Sequence, residues 1–558
     1  MRFVMYMLIP ILMFFSLLSC GSNSDSSGIK RNISTEITVL EAPFVKRLGI
    51  AEQIHAKISL GEKPKDVYML LSNYGEQNMD VKIDKILKHS DKIISPIEEN
   101  ISDKLEHFQP TIVHAPREVE LFREHIKTYL NRKIKSVVKT DKNEKSKKVV
   151  QGESHRFYLD ENGYSSTVAT ARKVVSVATV YGVKKLSVWV SDDSFGVGCP
   201  KARCVTQTMV DALANSFLKE GSDNDVYDWV SNVFGAEWGS NNHSNMISTN
   251  NEMTILLTDI DNDNSTNGGV LGYFYPKDNF KKEVMSGSNE RIMLYADGVL
   301  FANGNGSWSM HDFWPKEMIS TLAHEFQHMI HFYQKTTLRT DDTTDTWINE
   351  MLSESTEDLI ASKIQHTGSR GIDYRIGTAG NKGNILGRYP LFNAHNNISL
   401  TRWYGGVENY SVVNAFGAFL LRNYGGAKVL HDIVYNNFSD EKAIVKAVQQ
   451  TPQGKEKVFN DLLREWGVAV LFSDNPYLTE TLPHYNTGGY MPNQYNLSTY
   501  ALGSINFFNY NPQPQFYGEM GTVQAQGNYY YKVGTGLTGD ITINLRLNGK
   551  TEATLIVK

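Results

Sequence analysis

The spacing of hydrophobic and polar residues changes several times along the chain, and each change predicts a different kind of structure. Residues 37 to 95 alternate apolar and polar positions, which is typical of half-buried β-strands, and helical spacing follows near residues 117–129. Past about residue 490, short aromatic or alternating runs are separated by glycine. We therefore expect an N-terminal β-rich and helical module over residues 37–137 and a C-terminal β-sandwich-like module over residues 486–558.

Between these two modules, strand-like and helix-like patterns alternate, which predicts an α+β domain over residues 151–485. Three runs have the composition of strands: 186–190, 253–257 and 292–295. Four runs have helical spacing: 206–219, 226–234, 410–424 and 455–472. The segment 138–150 before this domain is charged and mostly basic, so we interpret it as an exposed linker rather than a docking patch.

One helix of this domain carries a metal-binding pattern. Pro315 suits a first helical turn, and apolar residues recur at three- and four-residue spacing through Tyr333. Inside that stretch lies His324-Glu325-x-x-His328, whose two imidazoles share one face of a helix and can bind one metal ion. Glu325 lies beside them, where it can handle a water on zinc. The alternative is a buried helix whose histidines only form hydrogen bonds.

Catalytic zinc takes three protein ligands, and two candidates compete for the third place. The metzincin pattern fails because His331 and Gln334 stand where it needs Gly and His. His331 is then a residue that supports the ligands or lies at the rim of the site, or else a plain surface residue. A second helix is predicted to begin at about residue 346, and in it Glu350 and Glu354 share one face. One of them can bind the metal while the other steadies a histidine, unless both simply face solvent.

These residues carry a resemblance to a known class. His324-Glu325-x-x-His328 with Asn349-Glu350-x-x-x-Glu354 resembles the gluzincins, the thermolysin-like peptidases, although Glu354 replaces the usual Asp. Residues 321–330 and 347–354 look like the hyicolysin family of secreted bacterial metallopeptidases, and the match extends over roughly residues 155–475.

The resemblance implies zinc ligands His324, His328 and Glu350, Glu325 as general base, and Glu354 as the partner of a zinc histidine. It also implies a zincin-like domain with a mixed-sheet upper lobe, an active-site helix and a helical lower lobe. The strand at 292–295 would be the edge to which an extended peptide adds.

Gluzincin chemistry also needs a group that stabilises the oxyanion at the scissile carbonyl. Tyr410, near the start of a predicted helix, is our first choice, with His395 and His431 as alternatives. Packing of the Tyr410 ring in the core would equally explain an aromatic residue there.

A second cation site is suggested by alternating carboxylates. Asp259, Asp261 and Asp263 follow a predicted strand at alternate positions, a pattern that suits calcium. The run departs from an EF-hand because no Gly stands at its sixth position and Val270 occupies its twelfth. A polar turn is the alternative.

The N-terminus predicts export. One Arg precedes an apolar run that ends at Leu17-Leu18-Ser19-Cys20, which indicates a signal peptide over residues 1–19. The end of that run resembles a lipobox, which implies that Cys20 is lipidated and that residues 20–36 form a tether to the membrane; a plain secretory signal is the alternative. In an exported protein, Cys199 and Cys204 predict a small-loop disulfide.

Composition narrows the remaining choices. The chain has a net charge of −5, 41% hydrophobic and 21% charged residues, so no basic surplus points to nucleic acid. We therefore expect a lipid-anchored, extracytoplasmic zinc endopeptidase acting on protein or peptide substrates. The rivals are an inactive metallopeptidase-fold lipoprotein that serves as an adhesin or binding protein, and a non-peptidase zinc hydrolase.

Overall fold

A computed structural model describes residues 30–87, 112–113, 115–131, 148–248, 252–366, 387–475, 482–547 and 549–558. The strands are β1 Lys30–Thr38, β2 Phe44–Ser59, β3 Lys65–Asn73, β4 Met79–Leu87, β5 Ile112–Val113, β6 Ser154–Tyr158, β7 Ser166–Thr179, β8 Gly182–Ser191, β9 Glu252–Thr258, β10 Gly269–Val270, β11 Gly272–Phe274, β12 Ile292–Asp297, β13 Tyr490–Tyr495, β14 Ser498–Gly503, β15 Met520–Val523, β16 Asn528–Leu537, β17 Asp540–Leu547 and β18 Thr551–Val557.

The helices are α1 Arg117–Glu124, α2 Ile126–Leu130, α3 Gln207–Phe217, α4 Val226–Phe234, α5 Gly298–Phe301, α6 Phe313–His331, α7 Thr346–Ile364, α8 Arg388–Ala394, α9 Val407–Asn423, α10 Ala427–Val434, α11 Lys442–Val448 and α12 Phe459–Leu471. A π-helix, Phe332–Thr340, continues α6. The chain is thus a mixed α+β protein. None of the described helices is both long enough and apolar enough to cross a bilayer.

The central region is built on a six-stranded mixed sheet with the order β11-β12-β9-β8-β7-β6. Three of its four inner strands, β12, β9 and β8, run parallel to one another, and the other pairings are antiparallel. β12 is buried along its whole length, which explains its continuous apolar sequence. The predicted strands and helices of this region are confirmed, with ends that differ by a few residues.

The predicted edge strand is wrong. The 292–295 run is β12, which lies one strand inside the sheet, and β11 covers its free side. A run of only three residues, Gly272–Phe274, is too short to be found from alternation alone. Gly272 suits this place because a Cβ there would lie 2.7 Å from the carbonyl oxygen of Tyr295.

The helices that carry the metal-binding pattern lie against the sheet and against each other. α6 packs on β11 and on α7, and α7 packs in turn on α9. The α7–α9 approach is close because Gly417 has no side chain: a Cβ there would lie 2.1 Å from the Ser355 hydroxyl oxygen. This packing brings the metal-binding pattern of α6, the acidic residues of α7 and residues of α9 close to one another.

The two flanking modules are not separate, which corrects the predicted division. Strands from both ends of the chain form one eight-stranded sheet, in which β17 lies between β2 and β4. The long strand β2 pairs with β17 through its second half and with β18 through its first half. These strands enclose their own hydrophobic core. Neither end supplies enough strands to cover that core by itself, which is why the two sequences fold together.

Two further pieces lie elsewhere than predicted. The helical stretch near residue 117 was assigned to the N-terminal module, but α1 packs on the central region, where the Phe122 ring lies 5.2 Å from that of Tyr275. Likewise β13 and β14 belong to the central region, since the Tyr500 hydroxyl donates to the Trp229 carbonyl at 2.7 Å. The signal peptide, Cys20, most of the tether and most of the linker lie outside the described residues.

Candidate active site

The three predicted ligands meet at one buried point. His324 and His328 lie one turn apart on α6, and Glu350 lies on α7. The two Nε2 atoms are 3.2 Å apart, and Oε2 of Glu350 is 3.3 Å from Nε2 of His324 and 3.4 Å from Nε2 of His328. All three side chains are at most 2% exposed. The helical-face argument made from the sequence accounts for this convergence.

The triangle fits a small tetrahedral cation. Ligands about 2.0–2.1 Å from a tetrahedral ion lie about 3.3 Å apart, which is close to all three edges found here. Oε2 of Glu350 and Oε1 of Glu325 are buried and accept no hydrogen bond from any described residue. Because buried carboxylate oxygens are rarely left unsatisfied, these two oxygens fit a site that binds a cation.

The charges of the triad also suit a cation. Burial alone would raise the pKa of Glu350, but the neighbouring His328 and His324 hold it well below its usual value. For His324, burial alone would lower the pKa, but the neighbouring carboxylates of Glu350 and Glu357 raise it to about 10. Glu350 is therefore an anion. A metal cation bound here would replace the proton that this carboxylate stabilises on the neighbouring histidine.

Each histidine is oriented through its second nitrogen. Nδ1 of His324 donates to Oε1 of Glu357 at 2.9 Å, and the other oxygen of Glu357 accepts from the Ser320 hydroxyl at 2.8 Å. Nδ1 of His328 lies 3.1 Å from Oδ1 of Asn349 and 3.2 Å from the Ser353 hydroxyl. Protonation at Nδ1 turns the lone pair of each Nε2 toward the shared point.

Nδ1 of His324 thus donates its hydrogen bond to Glu357, whereas the sequence interpretation gives this place to Glu354. Seven residues are two helical turns, so Glu357 lies on the same face of α7 as Glu350. Glu354 is rotated toward α9 and α8, where its carboxylate accepts from Asn414 at 2.6 Å and pairs with Arg388 at 2.9 Å. The resemblance to the gluzincins had pointed to Glu354 because it follows Glu350 by four residues.

Glu325 has one oxygen facing the triad and one facing the sheet edge. Its Oε1 lies 3.9 Å from Nε2 of His324, while Oε2 accepts from the backbone N–H of Phe274 at 2.9 Å. That bond fixes the carboxylate to β11, the edge strand. The predicted base is therefore held rigidly beside the three candidate ligands.

An arginine that the sequence did not identify completes the site. Nη2 of Arg123 on α1 donates to Oε2 of Glu325 at 3.0 Å and to the carbonyl of Phe274 at 2.8 Å. Its Nη1 lies 3.5 Å from Oε1 of Glu350. No local pattern connects Arg123 with residues some 200 positions later, so this contact could only be found from the fold.

Tyr410 lies close to the triad, while its two alternatives do not contribute to it. The Tyr410 hydroxyl is buried and donates to Oε1 of Glu120 at 3.1 Å; its pKa is raised well above normal by burial and by Glu350 and Glu120. His431 donates from Nδ1 to the carbonyl of Val233 at 2.8 Å, and His395 is exposed. His331 is buried and bonded to Thr344 at 2.9 Å, so the surface alternative is wrong for this residue.

The predicted calcium site already has a cation of its own. Nζ of Lys201 lies 2.8 Å from Oδ2 of Asp259 and 2.7 Å from Oδ1 of Asn262. Cys199 and Cys204 are joined by a disulfide, and Lys201 lies in the small loop that they close. An ammonium group thus neutralises the acidic turn, so the calcium interpretation is not supported and the polar turn describes this segment.

The comparison with known families decides the membership of the chain. Residues 165–505, more than half of the chain, match the family described as Peptidase M30. The chain belongs to the peptidase M30 family. This supports, at the level of the family, the resemblance to the hyicolysin-type metallopeptidases drawn from the sequence.

The individual proteins to which the chain is similar share little sequence identity with it. The chain is 24% identical over 273 residues to the neutral metalloprotease ShpI of Staphylococcus hyicus, a match that covers 48% of this chain and spans about half, 53%, of that relative. Among solved structures, an M1 zinc metallopeptidase from Deinococcus radiodurans bound to a Tyr-Ser-Ala substrate has 12% identity and a TM-score of 0.30, covering 56% of this chain and 60% of that one. A two-domain M1 zinc metallopeptidase bound to L-arginine has 13% identity and a TM-score of 0.29, with 53% and 50% coverage.

Proposed function

We propose that this M30 peptidase is a zinc-dependent endopeptidase, with His324, His328 and Glu350 as the metal ligands. The observation that carries the proposal is the triangle of two Nε2 atoms and one carboxylate oxygen with edges of 3.2–3.4 Å. Nitrogen and oxygen donors of this kind, with three protein ligands, are typical of catalytic zinc.

When bound, the metal supplies Lewis-acid activation of the attacking water and of the scissile carbonyl. The chain supplies the proton transfers: Glu325 takes the proton of the water on Oε1, the oxygen that accepts no hydrogen bond from the described residues. The same carboxylate then passes this proton to the departing amine. The bond from Phe274 to Oε2 keeps Oε1 turned toward the reaction.

Tyr410 is our candidate for stabilising the oxyanion that forms at the scissile carbonyl. Its hydroxyl is buried in the same site, and it is a donor, since burial and neighbouring carboxylates hold its pKa well above normal. A neutral tyrosine at working pH can give a hydrogen bond to a developing negative charge.

The proposed location of the protein is outside the cytoplasm, on a lipid anchor. The apolar N-terminal run and Cys20 favour export and a lipid anchor, and the Cys199–Cys204 disulfide fits an oxidising compartment outside the cytoplasm. Proteins or peptides in the cell envelope or beyond would then be the substrates.

The decisive test is digestion of labelled casein by the wild type and by Glu325→Ala, with zinc content measured in both. Because Glu325 is not a ligand, the variant should keep its zinc and its fold, while kcat falls by about 10²–10⁴-fold. Glu456→Ala, the same change at an exposed position before α12, is the matched control and should retain full activity. Cleavage by Glu325→Ala at the wild-type rate would refute the mechanism.

A further inference from the structure

We propose that residues 115–131, the segment that contains α1 and α2, form an intramolecular inhibitor lying in the substrate cleft. The inference rests on the proposed function, since a covered cleft has consequences only if the site cleaves peptides. The segment places Glu120 and Arg123, three residues apart on one face of α1, against the groups to which chemistry is assigned above.

Arg123 contacts three acceptors that border the proposed reaction centre. It bonds Oε2 of the candidate base Glu325 at 3.0 Å and lies 3.5 Å from the outward oxygen of the candidate ligand Glu350. Its side chain is only 11% exposed, so the contacts are made inside the cleft and not at its rim. A peptide carbonyl placed over the metal triad would have to displace this guanidinium.

The third acceptor is the sheet edge itself. β11 is the end strand of the central sheet among the described residues, and an extended peptide would add there through main-chain hydrogen bonds. The carbonyl of Phe274, the last residue of β11, accepts instead from Arg123 at 2.8 Å. Just before α1, strand β5 pairs with β10, which directly precedes β11 along the chain. The chain that leads into the inhibitory segment is therefore paired with the residues that lead into the edge strand.

Glu120 binds the Tyr410 hydroxyl. Glu120 is 5% exposed, and its carboxylate accepts from the Tyr410 hydroxyl at 3.1 Å and from Arg117 at 2.9 Å. The hydroxyl proposed to stabilise the oxyanion thus donates to α1. One turn of α1 thus places the positive charge of Arg123 against the carboxylates of the site and the negative charge of Glu120 against the Tyr410 hydroxyl. The segment and the site are therefore complementary in both signs of charge.

Apolar contacts hold the segment in place. Phe122 and Ile126 are each 3% exposed, and the Phe122 ring lies 5.2 Å from that of Tyr275 and 6.3 Å from that of Phe280. These contacts do not involve Arg123. Removing the arginine should therefore weaken occupation of the cleft without unfolding the segment, which makes Arg123 the position to test.

The test compares casein hydrolysis by the zinc-loaded full chain as wild type, Arg123→Ala and Lys127→Ala. Arg123→Ala should raise kcat/KM at least about tenfold, or about 1.4 kcal/mol, because the lost contacts are charge-assisted. Lys127→Ala removes a charge from the same segment, but its pair with Asp342 is exposed on both sides, so it should stay within about twofold of the wild type.

The outcomes separate the two proposals. If Arg123→Ala is no more active than the wild type, the inhibitor is refuted, and a loss of activity would make Arg123 a helper in catalysis. If wild type and Arg123→Ala both cleave no faster than Glu325→Ala, the proposed peptidase function fails first.

A second measurement does not depend on turnover. Hydrogen exchange of residues 115–131 is followed in the zinc-loaded wild type before and after saturation with a peptide hydroxamate, with binding established by calorimetry. Displacement of the segment predicts faster exchange in α1 and α2 and unchanged exchange in α10. Bound hydroxamate with unchanged exchange in α1 and α2 would overturn the proposal, as would failure of Arg123→Ala to bind the hydroxamate more tightly than the wild type.

Discussion

Replacing Glu357 should weaken metal binding without removing any metal ligand. Both oxygens of this buried carboxylate are used, one by Nδ1 of His324 and one by the Ser320 hydroxyl. The carboxylate fixes the Nδ1–H tautomer and makes the opposite nitrogen a better donor to the metal. Losing such a partner typically costs about 10–100-fold in affinity, or about 1.4–2.7 kcal/mol.

Three variants should raise the zinc dissociation constant by different amounts. Glu357→Gln keeps an amide oxygen for the ring but loses the charge, so its zinc dissociation constant should rise about tenfold. Glu357→Ala removes both and should approach 100-fold, while Ser320→Ala only frees one carboxylate oxygen and should change the constant by less than about threefold. Competition with a chelator of known affinity at fixed pH gives the constants, and thermal unfolding of the metal-free proteins checks that the fold survives. Affinity within about threefold of the wild type for Glu357→Ala, with a larger loss for Glu354→Ala, would show that the wrong carboxylate is assigned to His324.

Two further predictions concern the other carboxylates and the anchor. Glu350→Ala should be purified largely free of zinc, because only two imidazoles remain. Glu354→Ala should keep zinc in excess metal but unfold more easily, since it breaks the buried ion pair with Arg388 at a cost of about 3–5 kcal/mol. Metal analysis and thermal melts distinguish the two variants, and loss of zinc from Glu354→Ala alone would reverse the assignment. Full-length protein with Cys20 should partition into detergent, and Cys20→Ala should stay in the aqueous phase; equal partitioning of both would argue against the lipid anchor.

The metal triad could be predicted from the sequence because its geometry is local. His324 and His328 are four residues apart on α6, and helical periodicity alone places their rings together. Glu350 needed only a second helix with an acidic face. The same periodicity also places Glu357, two turns beyond Glu350, on the face of α7 that carries Glu350.

The flanking sheet could not be predicted in the same way. Alternation correctly indicates strands at both ends of the chain, but it carries no information on which strand pairs with which. His55 on β2 and Asn544 on β17 are 489 residues apart, yet their side chains lie 2.6 Å apart. Strand pairing of this kind is decided by complementary buried faces in the folded protein, so two apparent modules form one.

Arg123 and Glu120 show the same limit at the site itself, with a consequence for function. Catalytic residues can be found from a sequence pattern, because the chemistry constrains their spacing. Residues that block an active site follow no such pattern, because any helix packed against the site can place a charge there. Arg123 lies 202 residues before Glu325 and touches it through tertiary contact alone. An intact His324-Glu325-x-x-His328 motif therefore indicates what the protein can catalyse, whereas the contacts of α1 determine whether a substrate reaches it. That distinction also bears on the rival binding-protein interpretation: weak activity of the wild type would have a structural cause that Arg123→Ala removes, while a truly inactive relative would gain nothing from the change.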